Sequence, residues 1–384
     1  MRDTFLPFAK PSISEEAIAD VVDSLRAGWL TTGPKLKKFE SMLQEYHQAP
    51  HALCLSSATA GLHLALLALD LKPEDEVITT PMTFAATLNV IEIVGAKVKL
   101  VDVDRGTYNI DVNKIEAAIT KNTRVIMPVH FAGLSVDLDP IYALARKYHL
   151  TVVEDAAHSI GAEYKGKKLG TFGDIQVFSF HPNKNMTTGE GGCVVTRDEA
   201  IARHISLTRF HGMDREAWNR FGKEGSAHYQ IIYPGFKYNM MDLQAALGVH
   251  QLPALDGFIE KRARLVKRYY EKLADFDALI LPKAPNFEHK HAWHLFAPTL
   301  DPKVAQITRD ELMSRLKEMN IGCGVHYEAA HLYPYYVNKY GFKKGDFPNA
   351  EEIGANVISL PLFPDMTIKD QDDVLDALHK ILKV

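Results

Sequence analysis

Lys184 is a single amine inside SFHPNKNMTTGEGG (179–192). It follows an apolar, β-forming run, IQVFSF (175–180), and precedes threonines and glycines that demand a tight turn. A lysine in a loop is ordinarily a solvated surface charge. Asp155 closes an earlier strand-like run, LTVVED (150–155). Alone, it reads as an N-cap for the residues that follow. SSATAG (56–61) stands where the strand-like ALCLSS (52–57) gives way to the helix-like TAGLHLALLAL (59–69). Ser57 or Thr59 can cap that helix, and the free N–H groups there can equally bind a phosphate.

Together these residues fit one chemistry. Pyridoxal phosphate needs a lysine amine for a Schiff base and a carboxylate beside its pyridine nitrogen. The carboxylate keeps that nitrogen protonated, because an opposite charge nearby favours the charged form. The lysine must also lose its proton to attack, which burial promotes. Ser179 adds a hydroxyl five residues before Lys184. Phe84, in TPMTFAATLN, is an aromatic that could stack on the ring, although alone it reads as a core residue.

These side chains need a scaffold. From about residue 15 to 250, apolar strand-like runs alternate with helix-like stretches, which predicts a mostly parallel sheet covered on both faces. Such folds bind ligands at the carboxyl ends of their strands, where Asp155 and Lys184 both fall. The pattern changes near Pro253, where residues 254–276 read as one long charged helix. A smaller α+β unit follows. We therefore expect a large domain over 12–250 and a small C-terminal domain over 251–384.

The totals exclude several classes. The chain has 384 residues, a net charge of −4 and no long basic block, so nucleic acid is not an expected partner. No stretch reaches the ~20 apolar residues of a membrane span, and the N-terminus lacks a signal peptide's apolar run. Cys54, Cys193 and Cys323 are odd in number and far apart in sequence, without zinc spacing or a disulfide framework. A cytoplasmic protein is expected. GAEYKGKK (161–168) imitates a nucleotide-binding P-loop but has Lys168 where Ser or Thr must stand; it reads as a hairpin turning at Gly166. HKHAWH (289–294) clusters three histidines, but His291 and His294 would point to opposite faces of a strand, so no metal is expected. No G-x-G-x-x-G follows a strand, so a nicotinamide site has no fingerprint.

Segments spread along nearly the whole chain resemble the DegT/DnrJ/EryC1/StrS family of PLP-dependent sugar aminotransferases. They include RAGWLTTGPKLKKFE (26–40), VHFAG (129–133), VVEDAAHSIGA, FSFHPNKNMTTGEGG, GFKYNMMDLQAALGVHQL (235–252), GVHY (324–327) and SLPLFPDMT. The resemblance implies fold-type I: a mixed, mostly parallel seven-stranded sheet plus the smaller α+β domain. It implies Lys184 as the Schiff-base lysine and proton shuttle, and Asp155 as partner of the pyridine nitrogen. It implies His158, a position often Gln in relatives, on the ring-hydroxyl side, and Ala58, Thr59 and Ser179 at the phosphate. Asn239 is implied to reach the phosphate of a neighbouring subunit, giving a homodimer with shared active sites. Leu30, Thr31 and Thr32, with His326 and Tyr327, are implied to lie near the sugar. The implied substrates are a nucleotide-linked keto-sugar and L-glutamate. One family branch carries His at the lysine position and dehydrates its sugar; Lys184 favours transamination. Amination at C3 rather than C4, another reaction on the same site, and a non-catalytic homologue all remain open at this point.

Overall fold

Val and Ile dominate the central runs because branched side chains pack well on a pleated surface. The computed structural model describes residues 2–214 and 228–382. Its strands are β1 (His51–Leu55), β2 (Glu76–Thr79), β3 (Lys97–Leu100), β4 (Thr123–Ile126), β5 (Thr151–Asp155), β6 (Glu163–Tyr164), β7 (Lys167–Lys168), β8 (Ile175–Ser179) and β9 (Gly192–Thr196). Seven of these form one sheet in the order β1-β9-β8-β5-β4-β2-β3. Only β9 runs against its neighbours. The expected mixed, mostly parallel sheet is therefore present.

Alternate strand residues feed different cores. Val77, Val125, Val153, Val177 and Val194 pack together on one face. Ile78, Ile126 and Val152 pack on the opposite face, as do Cys54, Phe178 and Cys193. Helices cover both faces: α1 (Glu15–Ala27), α2 (Pro34–His47), α3 (Ala58–Leu67), α4 (Ala85–Ile93), α5 (Val112–Ala118), α6 (Leu138–Tyr148) and α7 (Glu199–Thr208). The β6–β7 pair is the hairpin read from GAEYKGKK, with Lys165 and Gly166 both at positive φ in its turn.

The long helix, α8, differs from its expected extent. It spans Asp242–Lys272 and passes through Pro253. An interior proline costs about 3 kcal/mol of helix stability. Here the residues on either side of it, Leu252 and Leu255, are buried with α2's Leu36, Phe39 and Leu43 in one core, and that packing overrides the local break. The C-terminal half of α8 enters a second core through Leu265, Val266 and Tyr269. There it meets Leu312, Leu316 and Leu378, together with Leu6 from the chain's start. The expected division near residue 250 thus falls inside a helix shared by both cores, and we propose the two-domain division on that basis. Strands in the second region are short: residues 279–280 pair with 299–300.

Two strand ends meet a helix start at Gly192. A Cβ there would lie 2.5 Å from Ala58 N and 2.5 Å from Ser57 C. Only glycine lets β9 approach the β1–α3 turn so closely. Gly192→Ala should cost about 1–3 kcal/mol of stability in urea unfolding. A parent-like midpoint would show that the close approach is dispensable.

Candidate active site

Asp155 is the last residue of β5 and is only 6 % exposed. Burial raises its carboxyl pKa, and specific donors oppose that shift. Thr87 Oγ1 donates to Asp155 Oδ2 at 2.7 Å, and the Ala157 N–H donates to Oδ1 at 3.2 Å. Since the Thr87 proton is committed to the carboxylate, the 2.6 Å contact between Thr83 and Thr87 has Thr83 as donor. The two threonines stand four residues apart at the start of α4 and form a short relay. Lys184 supplies the nearby positive charge.

Lys184 lies five residues beyond the end of β8, in a turn closed by its own backbone. Lys184 N donates to His181 O at 2.9 Å, Thr188 N to Phe180 O at 3.0 Å, and Phe180 N to Gly191 O at 2.9 Å. Thr187 Oγ1 donates to Phe180 O and receives the Gly189 N–H, both at 2.9 Å. Gly189 takes φ 81°, the left-handed conformation that glycine adopts at little cost. Asn185 Nδ2 ties this turn to Ala292 O. Lys184 is thus held, partly covered, rather than free in solvent. Burial lowers its ammonium pKa to about 8, against the opposing pull of Asp155.

His158 is buried and remains neutral. Burial pushes its pKa well down, reinforced by the nearby Lys184 ammonium. Its tautomer follows from its partners. The Ala132 N–H donates to Nδ1 at 3.3 Å, so Nδ1 is the acceptor and Nε2 carries the proton. Nε2 then donates to the Tyr327 hydroxyl at 2.9 Å. The GVHY segment is thereby fastened to the end of β5. Burial raises the Tyr327 phenol and lowers His326 to about 4. His326 Nδ1 is 2.8 Å from Ser359 Oγ, and its ring packs on Phe8 at 5.2 Å. Phe84 precedes α4, is 59 % exposed, and sets its ring 5.9 Å from that of Tyr327.

The β1–α3 turn leaves free amides at a helix start, where an anion can bind. Ser57 is the N-cap, its Oγ accepting the Ala60 N–H at 3.1 Å. The N–H groups of Ala58 and Thr59 open the helix, where intrahelical acceptors are missing and the dipole is positive. Ser179, only 6 % exposed, pairs across the sheet with Gly192, which abuts the same turn. A carboxylate, an amine and an amide cradle thus converge at neighbouring strand ends. They match the donor set that pyridoxal phosphate requires.

Other expected residues form a second group. Asn239 bridges to Leu55 at the end of β1. Its Nδ2 donates to Thr32 Oγ1 at 2.7 Å, and its Oδ1 accepts from the Lys237 ammonium. Thr32 Oγ1 in turn donates to Met240 O at 3.0 Å, and the Asp242 N–H donates to Thr31 O at 3.1 Å. Leu30 is 40 % exposed. Among the described residues, Leu30, Thr31 and Thr32 share no hydrogen bond with Lys184, His158 or Tyr327.

Three contributors escape a sequence reading. Thr83 and Thr87 sit within the TPMTFAATLN stretch, 68 residues from Asp155 in the case of Thr87, so no local signal ties them to it. His294 is the third. The sequence sets HKHAWH on a strand, but strand structure covers only its first two residues, His289–Lys290. The chain leaves it because it must follow a neighbouring loop: Ala292 N donates to Gly133 O at 2.9 Å and Leu295 N to Ala132 O at 3.2 Å. Trp293 adopts φ 49° there. His294 is 2 % exposed, with its ring 4.4 Å from that of His158. Among the described residues, no group of three His, Cys, Asp or Glu side chains could hold a metal ion.

The DegT/DnrJ/EryC1/StrS aminotransferase family matches residues 11–379. A spore coat polysaccharide biosynthesis protein of Bacillus subtilis is 44% identical, over 100% of this chain and 98% of its own. A UDP-4-amino-4-deoxy-L-arabinose–oxoglutarate aminotransferase of Shewanella sediminis is 42% identical, over 100% of this chain and 99% of its own. Among solved structures, a candidate sugar aminotransferase of Streptococcus pneumoniae in its PLP form superposes with TM-score 0.90 at 32% identity, covering 99% of each chain.

The lowered Lys184 pKa is open to direct measurement. In cofactor-free protein, an amine-acylating reagent should modify Lys184 with a midpoint near pH 8 by peptide mass spectrometry. Surface lysines should follow at about 10.4. Because Asp155 holds the Lys184 proton on, Asp155→Asn should move the midpoint lower still. A Lys184 midpoint among those of the surface lysines would contradict the site as described.

Proposed function

The chain belongs to the DegT/DnrJ/EryC1/StrS aminotransferase family, and we propose that it transfers an amino group from L-glutamate to C4 of a nucleotide-linked 4-keto sugar. The observation that carries this reading is the Lys184 amine beside a buried Asp155, at strand ends that also carry an anion cradle. When bound, pyridoxal phosphate supplies a ring that accepts electrons from the substrate carbon.

The chain's own residues do the rest. Asp155, held by Thr87 and the Ala157 amide, offers a fixed anion to the ring nitrogen. Ala58, Thr59 and Ser179 would hold the phosphate. His158, with its proton directed to Tyr327, would face the ring-hydroxyl side without adding charge. Lys184 would hold the cofactor through its amine and would move the proton at the reacting carbon. With a pKa of about 8, roughly a tenth of its amines are unprotonated at pH 7. Glutamate donates first and leaves as 2-oxoglutarate; the keto-sugar then takes the amine at the same site, which gives ping-pong kinetics.

The sugar and its position rest on likeness. HAWHLF (291–296) and DREAWNRF (214–221) resemble UDP-4-amino-4-deoxy-L-arabinose–oxoglutarate aminotransferases. Beyond Asp214, the second segment lies outside the described residues. We place the reaction in surface-polysaccharide or lipid A sugar synthesis, in the cytoplasm. WLTT and His326 would contact the sugar nucleotide. A homodimer would bring Asn239 of one chain to the phosphate site of the other. Exposed Phe84, Ile231, Tyr233 and Met241 supply apolar surface for such a contact.

The test is a panel of nucleotide keto-sugars with glutamate, with products read by mass and NMR. An amino-sugar bearing nitrogen at C4 is expected; nitrogen at C3, or a dehydrated product, overturns the assignment. Lys184→Ala should lower turnover about 10³-fold or more and abolish the visible absorbance of lysine-bound cofactor. Parent-rate transamination by that variant would refute the role of Lys184.

A further inference from the structure

Cys54 and Cys193 are far apart in sequence, but the β1–β9 register sets them directly opposite each other. Both are 0 % exposed and belong to the same core. Opposed residues of antiparallel strands form either hydrogen-bonded or non-hydrogen-bonded pairs, and the backbone partners identify which. The Cys54 N–H donates to Glu40 Oε1 at 2.8 Å, and Cys54 O accepts from Arg209 Nη1 at 3.0 Å. Both backbone groups of Cys54 therefore point away from β9. The β8–β9 ladder agrees: Phe180 N bonds Gly191 O, so the Phe178–Cys193 pair two residues along also bonds across that ladder. Cys193 thus turns its backbone away from β1.

The two cysteines form a non-hydrogen-bonded pair, the closer kind, with Cα atoms about 4.5 Å apart. Disulfides span Cα separations of about 4.4–6.8 Å, so no strand movement is required. The neighbouring Cys193 thiol adds to burial in raising the Cys54 pKa, and Cys193 Sγ itself donates to Val194 O at 3.6 Å. We propose that Cys54 and Cys193 are a latent disulfide, closed by a hydroperoxide, that staples β1 to β9 beneath the Ser57–Ala58 turn. Cys54 lies three residues before Ser57, and Cys193 adjoins Gly192, which abuts Ser57 and Ala58.

The chemistry balances with the peroxide as oxidant. One thiolate attacks a peroxide oxygen; the S–O bond forms, the O–O bond breaks, and water leaves when the oxidant is hydrogen peroxide. The second thiol attacks the resulting sulfenic sulfur; the S–S bond forms, the S–O bond breaks, and a second water leaves. Two electrons pass from the thiols to the peroxide. Burial pushes the Cys54 thiol pKa up, which lowers its thiolate fraction and slows its attack on peroxide.

The experiment treats the intact holoenzyme with hydrogen peroxide, then unfolds it with an alkylating agent and maps its peptides. A linked Cys54–Cys193 peptide pair, lighter by two hydrogens, is expected. A higher melting temperature should accompany it, and a dithiol reductant should reverse both. Cys193→Ala, or Cys54→Ala if the first does not fold, should abolish both effects. Sulfinic acid at either cysteine in place of the link overturns the proposal. So does full alkylation of both after Cys323 has been oxidised. A link that leaves the melting temperature unchanged or lower overturns the staple.

Discussion

The site depends on keeping Asp155 negative where burial favours its neutral form. Desolvating a carboxylate is costly unless donors and counter-charges replace the lost water. The protein supplies the Thr87 hydroxyl, the Ala157 amide and the Lys184 ammonium in that role. Each comes from a different segment: the start of α4, the turn after β5, and the loop after β8. Even the neighbouring Glu154, facing the other way, is fully bonded, to His130, Tyr142 and Gln176. Adjacent carboxylates on one strand thus have separate, complete sets of partners.

The same burial acts on Lys184 in the opposite sense. It disfavours the cation and so frees the amine for chemistry, while Asp155 restrains the shift. The histidines around this pair, His158, His294 and His326, are all driven toward neutrality by burial, with Lys184 adding to the effect. Asp155 and Lys184 therefore face imidazoles that burial keeps neutral. A charged imidazole beside them would lower the amine's affinity for its proton further and compete for the carboxylate.

Two cores build this site, so their relative position matters. The sheet supplies Asp155, Lys184 and the anion cradle. The later chain supplies Tyr327 and His294. Arg262, buried in α8, links the two: its Nη1 donates to Leu362 O at 2.8 Å and to Trp293 O and His294 O at 3.3 Å. The shared helix thus fixes where His294 meets His158.

Much of the sheet was legible because strand and helix periods alternate plainly between ALCLSS and IQVFSF. Lys184 and Asp155 were legible because each follows such a strand, and this fold class gathers ligand groups at strand ends. The extent of α8 was not legible, because Pro253 is a local signal and the Leu252–Leu255 packing that overrides it is not. HKHAWH misled for a related reason: its path is set by the carbonyls of Ala132 and Gly133, more than 150 residues earlier in the chain. By itself, then, the sequence determined the residue types, their local elements and the chemistry those types could perform. Only the tertiary structure decided the tautomer of His158, the Thr83–Thr87 relay, and the meeting of Cys54 with Cys193. Each of these depends on which distant segments share a ladder or a pocket, and local periodicity carries no record of that.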